Sequence, residues 1–235
     1  MVDYVFAPHP ITSVAIEGDD KQFPVRRIFC VGRNYEAHAR EMGRDPSREP
    51  PFFFTKPADA LVPDGSEIPY PPQTKNFQYE MELVVAIGKD GFEIPVEEAH
   101  DYIYGYAVGN DLTRRDLQAE AKELGRPWDW GKGFDASVVI SPIKKASEIG
   151  HPSSGRIWLA VNDEIKQDQD IADLIWSIPE VISILSQSMR IRAGDLIYTG
   201  TPAGVGALQV GDRISGGVDG VGSHTMTIVA PRTGI

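Results

Sequence analysis

The stretch Tyr79-Glu80-Met81-Glu82-Leu83-Val84-Val85-Ala86-Ile87-Gly88 constrains this chain more than any other. The apolar, partly β-branched run from Leu83 to Ile87 ends at a glycine and reads as a strand. Side chains alternate along a strand, so Glu80 and Glu82 share one face and Met81 takes the other. Two neighbouring carboxylates repel, and burying them unpaired is costly. A hard divalent cation between them resolves the conflict, because such ions take oxygen ligands. Taken alone, the pair reads better as a strand end whose solvent face carries two glutamates. The rest of the chain has to decide.

The chain has 235 residues, long enough to bury a sizeable core. Its 23 glycines and 18 prolines point to many turns and short strands rather than a helical bundle. A net charge of −11 argues against nucleic acid or an anionic membrane as a partner. An anionic ligand would therefore need a local cationic pocket. The single cysteine, Cys30, cannot form an internal disulfide, reads as a small buried apolar residue, and fits a reducing cytoplasm. No apolar stretch is long enough to span a membrane. With no internal repeat or linker, the expectation is a preamble over residues 1–25 and a single domain over 26–235.

Arg26 to Gly32 reads as a strand, followed by a short helix with Asn34 as N-cap and Gly43 as stop. His38 and Glu41 are three apart and so share a helical face. A carboxylate that orients a histidine suits it to activate water, although an isolated pair of this kind is more often a surface ion pair. Arg44 to Pro51 reads as a loop, Phe52 to Pro57 as a buried strand stopped by proline, and Lys89-Asp90-Gly91 as a hairpin-like turn. Tyr102 to Asp111 is another strand, with Asp111 either an N-cap for a helix over Thr113–Leu124 or a third oxygen ligand. Arg115 and Gln118 share a face near that helix's start, and arginine can clamp a carboxylate bidentately. Gly131-Lys132-Gly133 places a lysine where glycines let a ligand approach closely. Ser177-Ile178-Pro179 opens a helix with a purely apolar face, and Thr201 to Gly206 is a glycine-rich loop without the spacing of a phosphate-binding loop.

In this order, Val31-Gly32-Arg33-Asn34-Tyr35 with His38 and Glu41, Glu80-x-Glu82, Asp111 before Thr113-Arg114-Arg115-Asp116, Gly131-Lys132-Gly133-Phe134-Asp135 and Thr199-Gly200-Thr201-Pro202 resemble the fumarylacetoacetate hydrolase family. The resemblance runs from about Arg27 to Val229. The runs around Arg26–Tyr35, Glu49–Pro57 and Leu112–Leu117 are most similar to its fumarylpyruvate hydrolase branch. It implies a β-rich α+β fold of layered mixed sheets with few short helices, and commonly a homodimer.

The resemblance also implies roles. Glu80, Glu82 and Asp111 match the ligands of one divalent cation, Mg²⁺ or Mn²⁺. His38 and Glu41 match a water-activating dyad on a lid expected over 33–48, and Lys132 matches the lysine beside the metal. Arg33, Arg115, Gln118 and Thr201 match substrate contacts. Tyr79, Asn110 and Trp130 depart from the family's usual residues, which bears on pocket shape. The implied reaction is metal-dependent hydrolysis of the C–C bond of an acylpyruvate, a small anionic dioxo acid. For fumarylpyruvate, in gentisate-type aromatic catabolism, the products are fumarate and pyruvate. Oxaloacetate decarboxylation and dienoate isomerisation are the alternatives within the family, and neither needs to activate water.

Overall fold

The computed structural model describes residues 2–41 and 49–231. The strand read from the acidic stretch spans Met81–Ile87 and is buried at every position. It lies mid-sheet, paired antiparallel with Ile103–Asp111 on one side and Asp195–Tyr198 on the other. The large sheet runs Phe52–Lys56, Arg27–Gly32, Asp195–Tyr198, Met81–Ile87, Ile103–Asp111, Val138–Ile140, Leu61–Pro63. Arg27–Gly32 pairs parallel with Asp195–Tyr198, and Val138–Ile140 with Leu61–Pro63; the other pairs along this path are antiparallel. A second mixed sheet orders Glu164–Asp170, Arg156–Val161, Arg213–Val218, Gly222–Val229 and Ser66–Pro69. This is the β-rich, layered α+β architecture that the resemblance implied.

The period-two alternation divides the central strand between two cores. Met81, Leu83, Val85 and Ile87 pack with Ile157, Leu159, Ile214 and Met226 of the smaller sheet and with Val181, Ile182 and Leu185 of the helix Ile178–Ser188. Val84 and Ala86 face the other way, onto Ile28, Cys30, Leu196 and Tyr198. Val14, Ile16 and Phe23 of the antiparallel hairpin Ser13–Ile16/Asp19–Pro24 join that second core. Cys30 is buried there as a small apolar residue. Apolar burial at about 25 cal/mol per Å² makes both faces stabilising, which leaves the strand's two glutamates no solvent face.

Several local expectations need correction. Asn34 does not cap the following helix, which spans Glu36–Glu41. Its side chain donates to the Trp176 and Thr199 carbonyls and accepts from Trp176 N–H, tying three segments together. The proposed stop at Gly43 and the loop over 44–48 lie outside the described residues. The later helix begins at Arg115, after the two-residue strand Thr113–Arg114, and Asp111 does not cap it. The turn at 89–91 is no tight hairpin: a 3₁₀ segment, Val96–Tyr102, intervenes before the next strand. Phe52–Lys56 is half-buried at its three phenylalanines, exposed at Thr55 and buried only at its final lysine. Among the described residues no helix is long and apolar enough to cross a membrane.

Candidate active site

Glu82 lies in the central strand and Glu80 one residue before it, with their carboxylates brought together at one site, and Asp111 ends the adjacent strand. All three are buried, and they present oxygens within 4.8 Å of one another. Each carboxylate has a different partner set. Lys132 Nζ donates to Glu80 Oε2 and to Asp111 Oδ2, both at 2.8 Å. Arg115 donates to the other Glu80 oxygen. Lys56 donates to Asp111 Oδ1, and to the carbonyls of Leu112 (2.8 Å) and Ser137 (2.9 Å). Among the described residues Glu82 receives only a backbone N–H, from Gly200 at 2.8 Å.

The electrostatics follow from this sharing. Burial alone would raise the Glu80 carboxyl, but Lys132 and Arg115 hold it below the usual carboxylate range. Glu82 goes the other way: burial first, then Asp111 and Glu80, push it well up. Burial lowers the Lys56 ammonium despite Asp111. It would lower Lys132 too, but Asp111 and Glu80 outweigh it. Three buried carboxylates stand against three cations, with Glu82 the one carboxylate none of the three touches. The residues fit a hard divalent ion. The donors are all oxygen, as Mg²⁺ and Mn²⁺ require, and carboxylate oxygens that already accept one hydrogen bond retain further lone-pair directions.

Two glycines make this geometry reachable. Gly200 has φ +106°, and a Cβ there would lie 2.8 Å from Asn34 Cβ, so only glycine brings its N–H to Glu82. A Cβ on Gly131 would lie 2.8 Å from Gln118 N. This corrects the reading of the lysine loop. Lys132 closes a short helix, Asp129–Lys132, and Gly131 serves its close packing on Arg115–Glu123 rather than a ligand's approach.

His38 is buried and lines a pocket with Arg33, Glu80, Glu82, Arg115, Gln118, Lys132 and Thr201. Its Nδ1 meets Glu41 Oε2 at 3.2 Å. Gly204 N–H lies 3.2 Å from both Glu41 oxygens, so the dyad is anchored to the glycine-rich loop. Burial would raise Glu41, but the His38 contact and the Gly204 N–H lower it overall. The ten residues singled out from the sequence are thus brought to one place. Of the lid expected over 33–48, residues 42–48 lie outside the described residues. Arg33 has φ 58°, a conformation rare for a side chain with a Cβ, and its guanidinium sits 5.1 Å from the Phe52 ring centroid. Arg115 spends three of its five N–H groups on Gln78, Gln118 and Glu80.

A larger cavity of about 530 Å³ adjoins this pocket, sharing Arg33, Phe54, Lys122, Trp128 and Lys132 with it. Trp128 packs on Phe52 and Phe54 in its wall. Trp130, flagged for pocket shape, is 72% exposed and lines neither cavity. Tyr79 donates to Gly204 O at 2.9 Å, and Asn110 Oδ1 accepts from Glu80 N–H at 2.9 Å, so both support the site from behind. Sequence reasoning missed two buried residues here. Lys56 was signalled by being the one charge in an aromatic strand. Gln167 sits in the polar run Glu164–Asp170, where nothing distinguished it.

The fumarylacetoacetate (FAA) hydrolase C-terminal family model matches residues 27–229. A fumarylpyruvate hydrolase from Pseudomonas aeruginosa, solved with Mn²⁺ and pyruvate, is 53% identical with a TM-score of 0.96; the match covers 97% of this chain and 100% of that one. The fumarylpyruvate hydrolase of a Ralstonia species is 48% identical over 189 residues, 80% of this chain and 98% of the relative. Human mitochondrial oxaloacetate tautomerase FAHD1 is 41% identical over 206 residues, 88% and 93% of the two chains.

Proposed function

The chain belongs to the fumarylacetoacetate hydrolase family, and from that premise we propose that it hydrolyses the C–C bond of an acylpyruvate, with fumarylpyruvate as substrate. The observation that carries the reading is the pocket in which His38, held from behind by Glu41, faces the same space as Glu80, Glu82 and Lys132. Glu80, Glu82 and Asp111 would hold one Mg²⁺ or Mn²⁺, which when bound supplies a Lewis acid for the pyruvate end of the substrate.

The protein's own groups divide the remaining work. Glu41, its carboxyl held below the ordinary value, accepts Nδ1–H of His38. That tautomer leaves Nε2 as the lone pair that takes a proton from water. The hydroxide attacks the acyl carbonyl carbon, and the Lys132 ammonium stabilises the oxyanion that forms. The bond to the methylene carbon of the pyruvate unit then breaks, the electron pair leaves as an enolate, and reprotonation gives pyruvate. Water supplies one oxygen of the new carboxylate and the hydrogen that reprotonates the enolate carbon, so one fumarylpyruvate and one water give one fumarate and one pyruvate. Arg33, Arg115, Gln118 and Thr201 bind the substrate, Arg115 chiefly through its hold on Glu80. The aromatic cavity bounded by Phe52, Phe54 and Trp128 receives the acyl chain.

We assign the reaction to gentisate-type aromatic catabolism in the cytoplasm, by a homodimer whose catalytic unit is 26–235 behind the preamble 1–25. Oxaloacetate chemistry is the second reading, favoured by the similarity to the human tautomerase. Purified protein with Mg²⁺ is incubated with fumarylpyruvate, maleylpyruvate, acetylpyruvate and oxaloacetate, following the enol absorbance and pyruvate release. Release of pyruvate from fumarylpyruvate supports hydrolysis. Turnover of oxaloacetate alone would replace it.

A further inference from the structure

We infer that Gln167 is a positioning residue that turns Thr201 into a hydrogen-bond donor aimed at the carboxylate of the bound 2-oxo acid. The inference rests on the acylpyruvate reading above. Gln167 belongs to the smaller sheet and is fully buried, while Lys166 and Asp168 on either side are exposed. Its Oε1 accepts from Met81 N–H at 3.0 Å. Its Nε2 donates to Pro202 O at 2.8 Å and to Thr201 Oγ1 at 2.9 Å.

An amide's oxygen and nitrogen have nearly the same shape, so their assignment must come from chemistry. Here two backbone groups fix it. The Met81 peptide N–H can only donate, and the Pro202 carbonyl can only accept. The amide therefore cannot be flipped without losing both bonds. With Nε2 fixed toward Thr201, the threonine hydroxyl must act as acceptor on that side. Its own hydrogen then points elsewhere, and among the described residues no acceptor takes it. Thr201 lines the pocket that holds Glu80, Glu82 and His38, so the free donor direction belongs to the ligand.

Gln118 repeats the pattern. Its Oε1 accepts from an Arg115 terminal nitrogen at 2.6 Å, which leaves its NH₂ group to the pocket it lines. Arg33 is a donor by nature. Arg33, Gln118 and Thr201 thus offer donors, matching an acceptor-rich anion and disfavouring a donor-only group such as an ammonium in the same place. Gln167 also joins the peptide between Glu80 and Glu82 to the loop carrying Thr201, so one amide sets the spacing between metal strand and ligand donor.

The test titrates oxalate and pyruvate into Mn²⁺-loaded protein by calorimetry. Gln167→Glu preserves size and the bond from Met81 N–H, but sets an acceptor against Thr201 Oγ1. The hydroxyl then turns inward to donate to the new carboxylate. Oxalate affinity should fall about tenfold, the worth of one hydrogen bond to a charged acceptor, with Mn²⁺ affinity unchanged. Thr201→Val should fall by the same factor, and Thr201→Ser should bind normally. The double variant Gln167→Glu/Thr201→Val should be no weaker than Gln167→Glu alone. A further loss in the double variant would mean the added negative charge acts on the anion directly, and the polarity relay would be wrong. If Gln167→Glu does not fold, Gln167→Met serves, since it removes the donor that fixes the Thr201 hydroxyl as an acceptor on that side; normal oxalate binding there overturns the proposal. Wild-type protein that binds neither anion sinks the acylpyruvate reading and this one together. Wild-type binding with an indifferent Gln167→Glu sinks this one alone.

Discussion

His224 lies in Gly222–Val229, opposite Gly216 in the smaller sheet, and is 1% exposed. Among the described residues neither ring nitrogen has a partner of full hydrogen-bond geometry, and only the Thr225 backbone lies near enough to act weakly on the ring. Burial pushes its pKa from the ordinary 6.5 down to about 4, against weaker upward pulls from Asp64 and the Thr225 backbone. The native state therefore holds the ring neutral, and the unfolded chain takes up its proton first as pH falls. The stability tied to His224 is present above pH 6.5 and is lost as pH falls toward 4. The linkage relation gives a loss of about 2 kcal/mol by pH 5 and about 3 kcal/mol by pH 4. The perturbation is His224→Leu, which removes the titration while keeping an apolar body in the site. Urea unfolding from pH 8 to pH 4.5 is measured for both proteins, and only the difference between them is read, so that carboxylates common to both cancel. Relative to wild type, the variant should gain stability steadily below pH 6.5. A constant difference across that range would show that the ring is satisfied or solvated in the native state, and the burial argument would fail.

Three further outcomes follow from the site. Glu82→Gln should weaken Mn²⁺ binding, read by titration, yet leave the chelator-treated protein as stable as wild type or more so, because a neutral amide removes the charge crowded by Asp111 and Glu80; tight Mn²⁺ binding or a lower melting temperature would refute this. His38→Ala should slow fumarylpyruvate hydrolysis by roughly 10²–10⁴-fold, the usual worth of a general base, and slow any oxaloacetate decarboxylation far less; equal loss of both reactions would show that His38 does not serve water activation. Lys56→Met should destabilise the protein by about 3–5 kcal/mol in urea unfolding, since it strips Asp111 of one buried partner; a cost below about 1 kcal/mol would show that Lys132 alone suffices.

The acid strand was legible because its signal is local: alternation fixes Glu80 and Glu82 on one face before any partner is known. His38 and Glu41 were legible for the same reason, being one helical turn apart. What could not be read is what arrives from far along the chain. Asn34 looked like a cap because the sequence does not show that Trp176 and Thr199 would claim its amide. Asp111 looked like a cap because Lys56, 55 residues earlier, is not a local neighbour. Gln167 stands in a strand that otherwise faces solvent, and its burial depends on a loop 34 residues later. The two cores share one sheet: alternation separates Val85 from Val84, but which distant residues cover each face is set only by three-dimensional packing.

The charge arrangement ties the parts together. Glu80, Glu82 and Asp111 are three buried negative groups, and Lys56, Lys132 and Arg115 are three positive ones in contact with two of them. With all six ionised, the cluster is neutral. A divalent ion would leave an excess of two positive charges in a nearly closed site, which low local dielectric makes unfavourable unless an anion enters as well. At the pyruvate end, the enolate form of a 2,4-dioxo acid carries a carboxylate and an enolate oxygen, two negative charges close together, which offset that excess beside the metal. A monoanion such as acetate would leave one positive charge over. The three cations that stabilise the carboxylates without metal therefore also bear on the ligand with metal: with their charge already spent on Glu80 and Asp111, the metal's added charge favours a ligand whose metal-binding end is doubly negative.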